Sequence, residues 1–451
     1  DFCLSRGLGD VYKRQIIRSM RKMFSHCLKL SYKDTAQQNS YVTIPRAANS
    51  FDNTEIAANV DEDIIDSLTG GRLVGSVTSF ENFAECPLRY YLRYGVDLKE
   101  REEFTFSPVN FGVVLHAVIR EVCDEIKKNG ESYYLISEEK RREMVKKSVA
   151  AITDIYQNSI LKDSSRNSFM IKRMEDLADR TVWAMGEQLK CGDFVPFVFE
   201  HKFNMEVGDG DRKQLMSGTI DRVDICENGT DVYVRIIDYK TGKKDFNIVK
   251  TYYGIDIQLM VYMEAAMKLV AKMRPGKNVI PAGVFYYNIS DPIVSATTES
   301  AEEIEDKIKG ELRLKGMVNS DKDIAEKMDN TEGTSLNIPV SRKADGGFDS
   351  RRSKVMNTEQ FNMLGRFVDV RAIDTADRIV GGDIRRSPYK DGQFSSCDRC
   401  PYGAVCGFSV DLPGCNYRKL KKFDDEVLWN NIKEGVDENG KKMDTGAEER
   451  D

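Results

Sequence analysis

The sequence lacks a dominant charge of either sign: 67 Lys+Arg face 73 Asp+Glu, a net of -6 over 451 residues. That balance excludes a histone-like or polybasic protein that holds nucleic acid by bulk charge, while leaving room for a local basic groove. No apolar run approaches the roughly 18–20 residues needed to span a bilayer, which excludes a membrane protein. The first residues carry charge but no hydrophobic segment, so no secretory signal is visible and the cytoplasm is the expected compartment. No repeat recurs at a period of about 20–50 residues. A GxxxxGK[ST] phosphate loop is also missing, since YKTGKK and RPGKN do not make one, and ATPase activity is not expected. What is present suits a folded chain. At 41% hydrophobic and 31% charged it can bury a core. Its length allows roughly two to four domains, or one large α/β domain with insertions.

Residues 1–15, DFCLSRGLGDVYKRQ, resemble translated sequencing-adapter read-through and are set aside. Residues 16–73 are polar and read as a linker or the remnant of an upstream region. From Val77 the texture changes. SVTSFENFAECPLRYYLRYG puts Phe80, Phe83, Cys86, Tyr90 and Tyr94 at helical spacing behind Ser79 as N-cap. FGVVLHAVIREVCDEIKK is a second amphipathic helix from near Gly112, and 138–190 read as helical. The period then shifts towards two in FVFEHKFNMEV, LMSGTIDRVDIC and DVYVRIIDYK, three strands with Gly208, Gly210 and Gly229 in the turns. A helix near Ile255–Met273 and a strand in PAGVFYYNIS follow. Residues 300–355 read as an inserted helical or loop segment, 358–380 as helix, and 426–451 as a loose charged tail. The order describes an α/β domain on a mixed sheet.

The stretch GTIDRVDI…VRIIDYKTGK carries the most chemistry. Asp238 ends an apolar strand and Lys240 follows two residues on, so both face one side with Tyr239 opposite. If the two strands form a hairpin, Asp221 approaches Asp238. Two close carboxylates repel unless a cation lies between them, and hard oxygens favour Mg²⁺ or Mn²⁺. A lysine beside that cation can orient or deprotonate water and steady a phosphate, which suits phosphodiester hydrolysis. An isolated Asp-x-Lys is more often a solvated strand end. His116, one of three histidines, lies among apolar neighbours in FGVVLHAVI, where a satisfied core residue is the plainer reading and a metal ligand the sharper one. Gln258 and Tyr262 share a helical face, with ordinary packing as their plain reading. Glu200 in FVFEHKF reads as a strand-end charge rather than a further ligand.

Ten cysteines stand in a chain expected in a reducing compartment, and Cys397, Cys400 and Cys406 crowd into CDRCPYGAVC. Such clustering reads as metal or cluster ligation rather than free thiols. Thiolate sites want four ligands, and the fourth is Cys415 or Cys86. The spacing accommodates zinc as readily as an iron–sulfur cluster.

The order FGVVLH, GTIDRVD, IIDYK, QLMVY resembles the RecB-type branch of the PD-(D/E)XK nuclease superfamily. The resemblance implies a restriction-endonuclease-like fold: a mixed sheet flanked by helices. It also implies metal binding by His116, Asp221 and Asp238, catalysis by Asp221, Asp238 and Lys240, and DNA contact by Gln258 and Tyr262. No member of the motif set is missing, which implies an active copy. NFAECPLRYYLRY with CDRCPYGAVC and NYRKL is similar to the AddB-type subunits of bacterial ATP-dependent helicase/nucleases, over roughly residues 74–425. That likeness implies a structural 4Fe–4S cluster on Cys86, Cys397, Cys400 and Cys406, clamping the two ends of the nuclease domain. It further implies a heterodimer with an AddA-type motor helicase–nuclease subunit, resection of double-strand breaks for recombinational repair, and an upstream helicase-like half absent from this chain.

Lys140, Arg141, Arg142, Lys146 and Lys147, together with Arg89, Arg93 and Lys99, offer a path for single-stranded DNA, with Tyr90, Tyr91 and Tyr94 available to stack. A solvated helix face is the competing reading of those charges. Two other functions compete. A non-catalytic DNA-binding scaffold would have no need to keep the His/Asp/Asp/Lys set together. A stand-alone CRISPR-associated RecB-like exonuclease would be much shorter than this chain.

Overall fold

The computed structural model describes residue 60 and residues 74–99, 108–155, 165–207, 214–295, 299–411 and 415–448. Residues 1–15 and nearly all of 16–73 lie outside that range, as do the turn glycines Gly208 and Gly210. In chain order the labelled elements are strand β1 (Val74–Ser76), helix α1 (Val77–Glu85), and helices α2 (Pro108–Lys128), α3 (Glu138–Ile155) and α4 (Ser165–Lys190). Strands β2 (Val195–Val207), β3 (Gln214–Asn228) and β4 (Asp231–Lys240) follow, then helix α5 (Gln258–Met273) and strand β5 (Asn278–Asn288). Strands β6 (Lys315–Asn319) and β7 (Val355–Met356) come last in the main sheet. The chain forms two units: the described parts of 1–104, 207–215 and 372–422, and the larger remainder. Among the described residues no helix is long and apolar enough to cross a membrane.

In the larger unit the sheet runs β3–β4–β5–β6–β7, with β2 paired to β3. β3 and β4 are antiparallel, β4 and β5 parallel, β5 and β6 antiparallel. The parallel step is made through α5, as a crossover between parallel strands requires. α5 lies on β4 and β5 with Leu259, Val261, Ala266 and Val270 buried. The core on the opposite side joins Leu115, Val118 and Val122 of α2 and Met185 of α4 to Ile237, Tyr239 and Phe285 of the sheet. This is a mixed sheet between helices, as the resemblance implies.

Three elements differ from the sequence reading. The N-cap of α1 is Ser76, whose Oγ accepts the Ser79 N–H at 3.1 Å, while the Ser79 hydroxyl turns back to the Ser76 carbonyl. Within 300–355, read as an insertion, β6 is a working strand of the sheet. Gly316 lets it approach β5 so closely that a Cβ there would sit 1.9 Å from the Val284 carbonyl oxygen. The charged tail forms a helix, Asp425–Glu448, because Leu428 and Ile432 are buried.

Candidate active site

The site is built where β3 and β4 lie side by side. The register sets Arg222 opposite Ile237, which brings Asp221 level with Asp238. Asp221 Oδ2 accepts the Tyr239 backbone N–H at 2.7 Å. From α2, His116 Nδ1 reaches Asp221 Oδ2 at 3.5 Å and Glu200 Oε1 at 3.8 Å. His116 is therefore at the site rather than in the core, only part-covered, with its ring edge-on to Tyr239 at 5.9 Å. Lys240 Nζ lies 2.6 Å from Asp238 Oδ2 and donates to Gln258 Oε1 at 2.9 Å. Gln258 Nε2 in turn donates to Asp238 Oδ1 and to the Tyr262 hydroxyl, each at 3.0 Å.

All six motif residues expected from sequence thus gather here. Gln258 and Tyr262 are buried and aim their polar ends at Asp238 and at one another, so they hold the Asp238 carboxylate in place. Gly218, the first residue of GTIDRVD, leaves room for this. A Cβ there would stand 2.7 Å from the Phe203 ring and 3.0 Å from the Tyr262 ring.

Glu200 is the residue that sequence reasoning misplaced. It is no strand-end charge: it sits inside β2, with ligand atoms of His116, Glu200 and Asp221 all within 4.8 Å of one another. Its backbone has φ 47, the left-handed region, where a non-glycine residue costs on the order of 1–2 kcal/mol. Strain of that kind persists where the surrounding structure demands it. The available signal was an acid in the middle of an aromatic strand run.

The electrostatics favour a cation. Burial, and then the neighbouring Asp221 carboxylate, push Asp238 up to about 7. Burial and Asp221 raise Glu200 as well. At His116 burial acts downward, but Asp221, Glu200 and Asp238 outweigh it and the net shift is upward. Asp238 Oδ2 is buried with no donor in hydrogen-bonding geometry, although the Lys240 ammonium is close. One imidazole with three carboxylates, repelling one another and under-satisfied, is a donor set suited to Mg²⁺ or Mn²⁺. Two expectations follow for Mn²⁺ titrations. Affinity tightens about tenfold per pH unit for each displaced proton below about 7 and levels off above it, because Asp238 must ionise to bind. Glu200→Gln weakens affinity by about tenfold or more. A pH-independent affinity, or an unchanged one in Glu200→Gln, contradicts this donor set.

The basic residues expected to guide DNA are mostly engaged. Lys140 pairs with Glu131 at 2.7 Å, Arg141 with Asp179 at 2.7 Å, Arg142 with Glu138 at 2.7 Å and Lys147 with Glu125 at 3.1 Å; Lys146 is exposed. In the smaller unit Arg89 pairs with Glu85, Lys99 with Asp97, and Arg93 lies over Tyr94. Tyr90 is buried against Phe83 and Tyr94, Tyr91 is part-covered, and Tyr94 is exposed. The ion pairs of the charged residues match a solvated face.

Also in the smaller unit, Cys86, Cys397, Cys400 and Cys406 line one apolar pocket with Leu92 and Phe408. Backbone and side-chain bonds bring the two segments together: Leu88 N–H to the Arg385 carbonyl at 3.3 Å, and the Ser396 hydroxyl to the Glu85 carbonyl at 3.3 Å. Arg418 also bonds the Ala84 and Glu85 carbonyls, and Arg386 the Cys406 carbonyl at 3.1 Å. Burial, reinforced by the neighbouring thiols, raises Cys86 and Cys397 and pushes Cys406 up to about 11.

Residues 75–407 match the profile of the PD-(D/E)XK nuclease superfamily. The chain belongs to that superfamily. It is similar to bacterial proteins whose name makes them the B-type component of an ATP-dependent helicase/deoxyribonuclease. The one from Thermoanaerobacter sp. (strain X514) is 33% identical over 380 residues, 82% of this chain and 33% of the relative. Those from Lachnoclostridium phytofermentans and Clostridium botulinum (strain Hall) are 34% and 33% identical, over 86% and 87% of this chain and 34% and 35% of the relatives. The chain spans about a third of the length of these curated relatives.

Proposed function

We propose that this domain is a Mg²⁺- or Mn²⁺-dependent deoxyribonuclease that cuts single-stranded DNA. The observation that supports it most is the meeting of His116, Glu200, Asp221 and Asp238 with Lys240 at one place. The cation, held by His116, Asp221, Asp238 and Glu200, would supply Lewis acidity towards the phosphate and an acidified water. Lys240 donates to Gln258 and lies against the Asp238 carboxylate, where its ammonium can orient the attacking water or steady phosphate charge. Gln258 fixes Asp238 and Lys240 together, so neither has to reorganise as charge develops.

The names of the relatives support the wider setting. We propose that the domain works in a bacterial helicase–nuclease with an AddA-type motor subunit, in the cytoplasm, where it trims unwound strands at double-strand breaks. A structural 4Fe–4S cluster on Cys86, Cys397, Cys400 and Cys406 belongs to the same reading, supported by the pocket those four thiols share. Zinc on the same thiols is the competing occupant. The visible absorbance of the purified protein separates the two, since zinc thiolate sites are colourless and iron–sulfur clusters are not.

The test uses end-labelled single-stranded DNA and its duplex with Mg²⁺, comparing the wild type with Lys240→Ala. Cleavage of the single strand is expected, slowed about 10²- to 10⁴-fold by the substitution. A folded wild type that binds the strand and leaves it intact supports the scaffold reading instead.

A further inference from the structure

The imidazole of His116 lacks the anchor that a metal-binding histidine ordinarily has. Both of its polar approaches are made by Nδ1, to Asp221 at 3.5 Å and to Glu200 at 3.8 Å. Among the described residues Nε2 has no hydrogen-bond or ion-pair partner. A ligating imidazole is usually oriented by a bond to its second nitrogen, and losing that bond weakens the metal site. What the structure offers the His116 ring instead is another ring. Tyr239 of β4 meets it edge-on, with centres 5.9 Å apart and planes at 83°. That spacing and angle lie within the range in which aromatic pairs attract. Tyr239 meets Tyr287 of β5 in the same manner, at 5.8 Å and 87°.

Tyr239 is itself fixed at both ends. Its backbone N–H donates to Asp221 Oδ2 at 2.7 Å. Its hydroxyl lies in the core, 3.9 Å from Met185 Sδ of α4 and beside the Arg222 guanidinium. Arg222 is held in turn by both oxygens of Asp224, at 2.7 and 2.6 Å. The residue is only 4% exposed, so its ring cannot swing without displacing close-packed neighbours. One side chain thus braces the imidazole while its backbone bonds an acid of the same site. We propose that Tyr239, the residue between Asp238 and Lys240, is a positioning residue whose ring holds the His116 imidazole towards Asp221 and Glu200, in place to bind the cation. This inference rests on the metal-dependent nuclease reading and adds to it a side chain with no part in the chemistry. The competing account is a tyrosine that only fills the core, and the two differ in what they predict for metal affinity.

The experiment titrates Mn²⁺ into the metal-free protein by calorimetry, with thermal unfolding recorded on the same samples. Tyr239→Leu keeps the backbone N–H to Asp221 and removes the ring, and is expected to weaken Mn²⁺ binding by about 10- to 100-fold. Tyr239→Phe keeps the ring and restores most of that affinity. Phe285→Leu trims the same core at another sheet residue, and is expected to unfold earlier while binding Mn²⁺ as the wild type does. In a His116→Ala background, Tyr239→Leu adds less than about a twofold further loss, because the ring then has nothing to hold. Equal losses of affinity in Phe285→Leu and Tyr239→Leu would reduce Tyr239 to core packing and overturn the inference. So would a Tyr239→Leu loss that persists undiminished without His116, or a Tyr239→Phe protein as weak as Tyr239→Leu. Should Tyr239→Leu fail to fold, Tyr239→Met is read by the same criteria. Wild-type affinity in every Tyr239 variant overturns the positioning role alone, whereas a wild type that binds no Mn²⁺ takes the metal-dependent reading with it.

Discussion

Asp238→Asn is expected to lower DNA cleavage by on the order of 10³-fold or more while raising the thermal stability of the metal-free protein. Both effects have one origin. Asp238 is almost fully buried, and burial together with Asp221 pushes it up to about 7. A carboxyl whose folded pKa lies above its unfolded value stabilises fully below the unfolded pKa, near 4, and loses that stability as pH rises through about 7. At pH 8 without metal the buried charge therefore costs the fold a few kcal/mol by the linkage scale of about 1.4 kcal/mol per unit. Asparagine keeps an acceptor for Gln258 Nε2 and carries no charge, so it escapes that cost. Unfolding in a chelating buffer should show the variant above the wild type at pH 8, with the gap closing towards pH 5. With saturating Mg²⁺ the order should narrow or reverse, because the cation stabilises only the protein that binds it. A variant that is less stable than wild type in chelator at pH 8 would show that Asp238 carries no strain at rest.

The legible part of this site came from strand alternation. Asp238 and Lys240 close an apolar strand, and one antiparallel register is enough to bring Asp221 alongside. His116 and Gln258 are not legible this way: their plain readings are core and packing, and only the family resemblance assigns them to the site. What stayed hidden depends on geometry that the alternation rule does not describe. Glu200 reaches the site through a left-handed backbone at φ 47, where a regular strand reading fails. Arg222 and Asp224 look like a polar strand face, yet both are fully buried. There Asp224 accepts from Arg222 at 2.7 and 2.6 Å and from Arg235 at 2.8 Å. Charges pair inside the core in this case, and a sequence shows the charges without showing the pairing. β6 was concealed by Gly316, a residue poor in strand propensity but needed for the close approach to β5. The C-terminal helix was concealed by its charge, since among its described side chains only Leu428 and Ile432 are buried.

Cys86→Ala is expected to produce the second large loss, in stability rather than chemistry. Cys86 stands between α1 and the short helix Pro87–Tyr90, with Cys397, Cys400 and Cys406 in the segment that follows residue 380. The side-chain bonds holding these segments span more than 300 residues of chain, as the Ser396–Glu85 contact does at 311 and Arg418–Ala84 at 334. A cross-link over a loop of that length removes about 3–5 kcal/mol of unfolded-state entropy. Hydrogen bonds such as Ser396–Glu85 are each worth only about 0.5–1.5 kcal/mol net and cannot replace it. Anaerobically purified Cys86→Ala should therefore lose the visible absorbance of a 4Fe–4S cluster and unfold at markedly lower denaturant. Lys240→Ala should keep both the absorbance and the stability while losing activity. Cys415→Ala is the discriminating control. Cys415 is also buried, but it does not line the pocket of the other four. If Cys415→Ala bleaches the protein and Cys86→Ala does not, the fourth ligand has been misassigned and the clamp between the two segments is not covalent. If Cys86→Ala loses the absorbance but unfolds like the wild type, the cluster serves something other than the fold.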